Sequence, residues 1–359
     1  RDDDQRGDAT ILKLFRKEGQ KTHITLSTNN YGSRFVGPYR TGLSIEHVFK
    51  DYHRTIFSAQ ATIPETDELI LGSVNHNIQI TPAMELDFLF SYTKSEPGFT
   101  LRQSEIESNS FIGEFATKWR VVRQRNKNIT LSAIFSLLNG NTDFLTEALT
   151  RDKVRALRTT MDYDFVDNYA GSHSLSTTLS RGIDFLDASN RGDDNISRAD
   201  SKADFTKIDF NHNYQKILTD NFLLSTNISG QLSSGSLFSS EEFGYGGSNI
   251  GRAYDFSEIT GDQGIAGLVE INYLDIRPID KYKIIPFIFY DIGKVWEEGD
   301  ASVKQISGAS AGLGARAYDN DNISIDLNIA YPLTKQVDNP IYGNDKNPVF
   351  RFGLTYKFK

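Results

Sequence analysis

Apolar and polar residues alternate with a period of two along most of the chain. Phe350, Phe352, Leu354, Tyr356 and Phe358 fall on one face of the last segment, and Arg351, Gly353, Thr355, Lys357 and Lys359 fall on the other. This is the pattern of a strand with one apolar side. Ile323, Ile325, Leu327, Ile329 and Tyr331 alternate in the same way with Ser324, Asp326, Asn328 and Ala330, as do Met84, Leu86, Phe88, Phe90 and Tyr92 with Glu85, Asp87, Leu89, Ser91 and Thr93. The pattern predicts about sixteen strands, at 20–29, 39–49, 54–64, 68–80, 84–94, 108–121, 127–138, 152–165, 169–185, 203–217, 221–233, 264–275, 283–295, 305–317, 321–331 and 349–359. An even number of long antiparallel strands is what closure into a membrane barrel requires, whereas a soluble sandwich needs fewer and usually shorter ones.

The connections alternate too. Those after the second, sixth, eighth, tenth and fourteenth predicted strands are tight, as at Leu218–Asn221 and Tyr318–Asp321, and those after the fifth, seventh, ninth, eleventh and fifteenth are long and polar. The connection after the third, near Pro64–Asp67, breaks the rule. Short turns face the periplasm and long loops the exterior in outer-membrane barrels, so both termini are expected on the periplasmic side. The polar run Asp187–Asp200 reads as an exposed outer loop.

Composition narrows the class. With 38% apolar residues and a mean hydropathy of −0.42, and no run near the eighteen apolar residues of a membrane helix, a helical membrane protein is excluded. A barrel is not, because only one side of each strand meets lipid. Aromatic residues, 12% of the chain, gather near predicted strand ends (Tyr39, Tyr92, Tyr273, Tyr331, Tyr356), as in interfacial girdles, although cross-strand pairs in a soluble sheet look similar. There is no cysteine, hence no disulfide framework and no thiol chemistry. The net charge of −8, without a basic stripe, speaks against nucleic acid. No apolar leader opens the chain, so residues 1–19 are expected to be a linker from a removed N-terminal periplasmic region, and 20–359 the all-β transmembrane barrel.

The strongest chemical signal lies between the eleventh and twelfth predicted strands. Arg252 stands in the glycine-rich stretch from Phe243 to Gly264, and Asp291 stands in the apolar strand segment Phe289–Gly293. A carboxylate there has a high desolvation cost unless a partner reaches it. If the loop stayed outside, its glycines would only make turns and Arg252 would be a solvated charge. If it folds into the barrel, Gly246 and Gly247 permit the reversal, Gly308, Ser310, Gly312 and Gly314 leave room on the neighbouring wall, and Glu270 faces inward beside the site.

Here the sequence resembles the two-partner secretion outer-membrane transporters (TpsB type, haemolysin activation/secretion proteins), within the superfamily of barrels that carry POTRA domains. Their pattern is an aromatic residue and Gly-Gly, a Val-Arg-Gly-Phe/Tyr tip, and Gly-Asp-x-Gly. This chain has Phe243, Gly246-Gly247, Gly251-Arg252-Ala253-Tyr254 and Gly261-Asp262-Gln263-Gly264, departing from the tip at Gly251 and Ala253. Asn30-Tyr31-Gly32-Ser33-Arg34 with Gly37 is similar to the segment after the first barrel strand of these transporters, and Phe358 to the terminal aromatic read by the barrel-insertion machinery, here followed by Lys359.

The resemblance implies a barrel with an inward-folded loop whose tip arginine, Arg252, meets a wall aspartate, Asp291, followed by Gly293. It also implies ATP-independent passage of a secreted exoprotein recognised by upstream POTRA domains. The implied surroundings are outer-membrane lipid, the barrel-assembly machinery during biogenesis, and action as a monomer. An assembly factor of the same superfamily and a passive porin remain as alternatives. No cofactor or metal is expected. The six histidines, at 23, 47, 53, 76, 173 and 212, lack ligand spacing, and no Ser/His/Asn set marks an enzyme. Two Arg-Gly-Asp tripeptides, at 6–8 and 191–193, are of a kind that charged loops produce by chance.

Overall fold

The computed structural model describes residues 21–50, 53–65, 67–274, 276–279, 282–299, 304–319, 322–335 and 347–358. The expected linker 1–19 and the terminal Lys359 lie outside them. The strands are β1 (Thr22–Asn29), β2 (Arg40–Lys50), β3 (His53–Thr62), β4 (Ile70–Thr81), β5 (Met84–Ser95), β6 (Glu107–Arg123), β7 (Lys127–Phe144), β8 (Glu147–Val166), β9 (Ser172–Gly182), β10 (Thr206–Thr219), β11 (Phe222–Ser233), β12 (Phe243–Tyr245), β13 (Ile259–Gly261), β14 (Gln263–Tyr273), β15 (Ile276–Ile279), β16 (Tyr282–Trp296), β17 (Gln305–Asp319), β18 (Ile323–Pro332) and β19 (Val349–Phe358). All except β12 and β13 form one antiparallel sheet. β14 and β15 both pair with β16 and share one position in the wall, so the barrel has sixteen strands, as the alternation predicts.

β1 pairs with β2 on one side and with β19 on the other, from Ile24↔Phe358 to Asn29↔Gly353. The sheet therefore closes on itself and has no free edge along the wall. Asn30 prolongs the seam: its Nδ2 donates to the Phe350 carbonyl at 2.8 Å, and its Oδ1 accepts the Phe352 N–H at 2.7 Å. Asn30 opens the Asn30–Arg34 motif picked out in the sequence, and its place is the closure of the barrel.

The two faces separate as the alternation requires. Leu327, Ile329, Tyr331, Phe350 and Leu354 are exposed on the outside, whereas Asn328, Ala330 and Arg351 on the same strands are buried inside. On β16, Ile288, Tyr290 and Ile292 face out, and Phe287, Phe289 and Asp291 face in.

Two expectations about connections need correction. The link after the seventh strand is only Leu145–Thr146, because β7 and β8 run on to 18 and 20 residues. Both turn residues have positive φ, 48° and 68°, which fits a tight two-residue hairpin. A strand of that length is about 65 Å long and, tilted by ~40°, rises roughly 50 Å, about twice the ~25 Å lipid belt. Above the belt both faces meet water, so the polar residues after Leu138 no longer separate strand from loop. The second correction concerns Asp187–Asp200. Arg191 to Asn195 are exposed, but Ser189 is buried and 196–198 are half-buried, and the segment packs back on β8 through Ser189 and Asn195.

Candidate functional site

The connection from β11 to β14 folds into the lumen. Its limbs form the hairpin β12–β13, paired from Phe243↔Gly261 to Tyr245↔Ile259. Tyr245, Ala253, Tyr254 and Ile259 are completely buried and share a core with Ala266, Phe287, Phe289, Val295 and Ala330 of the wall. Two glycines make the fit. Gly246 has φ +124°, and a Cβ on it would stand 2.1 Å from the Asp255 carbonyl oxygen; a Cβ on Gly293 would stand 2.2 Å from the Tyr245 ring. Gly264 lies under the Phe243 ring, Gly261 lies against the Trp296 backbone, and Gly251 accepts the Tyr254 N–H at 2.8 Å. Gly247 accompanies Gly246 at the reversal, its N–H donating to the Tyr254 carbonyl at 3.2 Å.

The tip is held by charge. Asp291, fully buried, accepts the Tyr245 hydroxyl at 2.9 Å and the Arg252 backbone N–H at 3.2 Å, with the Ser310 hydroxyl as a third donor. The Arg252 guanidinium goes elsewhere. Its Nη1 donates to Glu270 Oε2 at 2.8 Å, and its carbon lies 4.4 Å from the centre of the Phe289 ring, a cation–π distance. The Arg252 backbone thus meets Asp291, but its guanidinium pairs with Glu270, while the Asp291 oxygens are taken by the Tyr245 and Ser310 hydroxyls and the Arg252 N–H.

Glu270 serves a second arginine. Arg316 on β17 donates to it at 2.7 and 3.1 Å and to Asp326 at 3.0 Å. Arg351, buried on β19, donates from Nε to the Arg252 carbonyl at 2.8 Å and from Nη2 to the Tyr254 carbonyl. The Tyr254 hydroxyl donates to backbone carbonyls of Ala309 and Lys335, at 3.2 and 2.9 Å. Neither Arg316 nor Arg351 is singled out by sequence motif, although the alternation puts Arg351 on the lumen face.

The root of the loop is anchored on β8, β10 and the connection between β9 and β10. Glu241, buried, pairs with Arg158 of β8 at 2.6 and 3.1 Å and with Lys207 of β10 at 3.0 Å. Asp262 accepts both Arg198 nitrogens, at 2.5 and 2.9 Å, and the backbone N–H groups of Leu237 and Glu298 at 2.6 and 2.8 Å. Glu242 lies beside it, 3.0 Å from Arg198. Burial, reinforced by the neighbouring charges of Glu297 and Asp262, pushes its carboxyl up to about 7 against the pull of Arg198. Elsewhere the lumen face is polar, as in Asn75, Asn77, Glu85, Asp87, Lys118 and Arg120 on β4–β6.

A closed sixteen-stranded wall with an apolar outer belt and a polar interior defines an outer-membrane β-barrel of bacteria. Residues 8–315 match the profile of the haemolysin secretion/activation proteins ShlB/FhaC/HecB, and the chain belongs to that family. Among solved structures it is similar to CdiB from Escherichia coli (TM-score 0.82, 13% identity, 96% of this chain and 64% of that one). It is also similar to CdiB from Acinetobacter baumannii (TM-score 0.71, 16% identity, 94% and 60%) and to BamA from Haemophilus ducreyi lacking POTRA domains 1–3 (TM-score 0.64, 12% identity, 95% and 71%). The chain spans less than two thirds of the two CdiB chains. No curated protein sequence matches it.

Proposed function

We propose that this chain is the membrane pore of a two-partner secretion transporter. It passes one exoprotein from the periplasm to the cell surface, with the ends carrying the long loops outside and the tight turns in the periplasm. The observation that carries the reading is the inserted hairpin, bound through Asp291, Glu270 and Arg351 to a wall that is otherwise polar. A passive porin gains nothing from so many buried charges committed to one loop. Transport is ATP-independent in this reading, drawn by folding of the exoprotein outside, and the protein is a monomer that contacts outer-membrane lipid and is inserted by the barrel-assembly machinery. POTRA domains preceding the barrel would receive the substrate. We read the chain as a transporter rather than an enzyme: among the described residues, the buried acids Glu241, Asp262, Glu270 and Asp291 are each engaged by arginine, lysine, hydroxyl or backbone donors that hold the loop.

The likeness to BamA keeps the assembly factor as a second reading. The six register pairs of the β1–β19 seam, continued by the Asn30 side chain, weigh against it, since lateral insertion needs a seam that opens. Comparing the proteins at the surface and in the medium of cells with and without this protein separates the two. Export predicts the loss of one large exoprotein while other outer-membrane barrels keep their levels. A general fall in those barrels would refute export and favour assembly.

A further inference from the structure

The connection from β9 to β10, residues 183–205, crosses the mouth of the barrel at the long-loop end. Phe205 and the side chain of Ile196 join Leu237, Phe238, Val154 and Ala156 in an apolar cluster that fills this side of the mouth. The Ser201 hydroxyl and Arg198 Nη1 donate to the Leu237 carbonyl at 2.8 and 3.1 Å, tying the connection to the cluster from above. Arg198 also gathers three carboxylates from two other connections: Glu242 at 3.0 Å, Asp262 at 2.5 Å and Glu297 at 2.6 Å.

We propose that residues 183–205 form a strap that closes the export path at the long-loop mouth, with Arg198 as its latch. The inference rests on the export reading and specifies how that path is regulated. The electrostatics make the latch two-state. With Arg198 in place, three loops are drawn together around one cation. With Arg198 withdrawn, the three acids, whose oxygens lie within 4.8 Å of one another, repel, and the loops spread. None of the tip contacts of Arg252, Glu270 or Asp291 involves the strap, so the mouth can open while the tip stays docked.

The test is single-channel recording of the full-length protein in planar lipid bilayers, without exoprotein. Arg198→Gln should raise the fraction of time spent conducting by at least about tenfold, as expected when a half-buried ion-pair hub is lost, and Arg198→Lys by less. The chain has no cysteine, and the Ser239 N–H donates to the Ser197 hydroxyl at 3.1 Å. A Ser197→Cys/Ser239→Cys pair should therefore cross-link the strap to the inserted β11–β14 connection, suppress conducting events when oxidised and restore them on reduction. Heat-modifiable migration on gels checks that each variant is folded; if Arg198→Gln fails it, the cross-link alone decides. Unchanged conduction in both would overturn the strap. Gating that responds in a protein exporting nothing would refute the transport reading and leave the strap standing.

Discussion

Glu270 takes the ion pair of the tip arginine, and its removal gives a magnitude that can be measured. It holds the Arg252 guanidinium at 2.8 Å and Arg316 at 2.7 and 3.1 Å, with both Arg252 and Glu270 almost fully buried. Breaking one side of a buried pair costs about 3–5 kcal/mol. Arg316 keeps Asp326 and the barrel interior admits some water, which lowers the expectation for Glu270→Ala to ~2–4 kcal/mol, a ~30- to ~900-fold shift toward an undocked tip.

The assay uses a single cysteine at Ala253, fully buried at the tip, and its rate of reaction with a water-soluble maleimide. Glu270→Ala should raise the rate by that factor. Arg252→Ala should raise it similarly, and the double variant should be little worse than either, because two residues in contact are non-additive. Asp291→Ala removes a different set of bonds, to Tyr245, Ser310 and the tip backbone, so it should add to Arg252→Ala. Additive effects for Arg252 with Glu270, or full coupling of Arg252 side-chain loss to Asp291, would refute the assignment of the ion pair.

Two further outcomes follow from the same structure. Burial raises the Glu242 carboxyl from the ordinary range to about 7 amid Arg198, Asp262, Glu297 and Thr260, so the closed mouth binds a proton that an opened, solvated Glu242 releases. Closure is therefore favoured at lower pH and lost as pH rises toward about 7, with little further change above it. Conducting events should be more frequent at pH 8 than at pH 5.5, and Glu242→Gln should flatten the profile. On the wall, Ile329→Arg on the outer face should destabilise the barrel by ~2–4 kcal/mol near the midplane, while Asn213→Arg, on the same lumen face of β10 as Lys207, should cost much less; equal midpoints in urea refolding into vesicles would refute the assigned facing.

The barrel was legible in the sequence because a period of two is a local property. Lipid on one side and polar interior on the other impose the alternation residue by residue, as in Phe350–Phe358. The alternation lapses above the lipid, which is why the upper ends of β7 and β8, residues 139–144 and 147–151, read as loop. The inserted loop was legible from Arg252 and the glycines, but the partner was not. Asp291 and Glu270 are both inward-facing acids on adjacent strands, and only the course of the backbone decides which one meets an N–H and which a guanidinium. Glu241 with Arg158 and Lys207 joins residues far apart in the chain through side chains with no motif of their own, and the Arg198 cluster sits in a run whose composition matches that of a solvated loop.

Between Glu147 and Arg155, β8 has β7 on one side, but β9 ends at Gly182 opposite Ala156 and leaves the other side uncovered. The connection 183–205 supplies the missing partners. The N–H groups of Ile183 and Ser189 donate to the Arg155 and Lys153 carbonyls, both at 2.9 Å, the Lys153 N–H donates to the Ser189 hydroxyl at 2.9 Å, and the Arg151 N–H donates to the Asn195 carbonyl at 2.5 Å. An open strand edge standing clear of lipid is a template for pairing with any extended chain, a neighbouring copy included. The segment therefore also guards against aggregation, keeping the projecting rims of crowded barrels from zipping into one another.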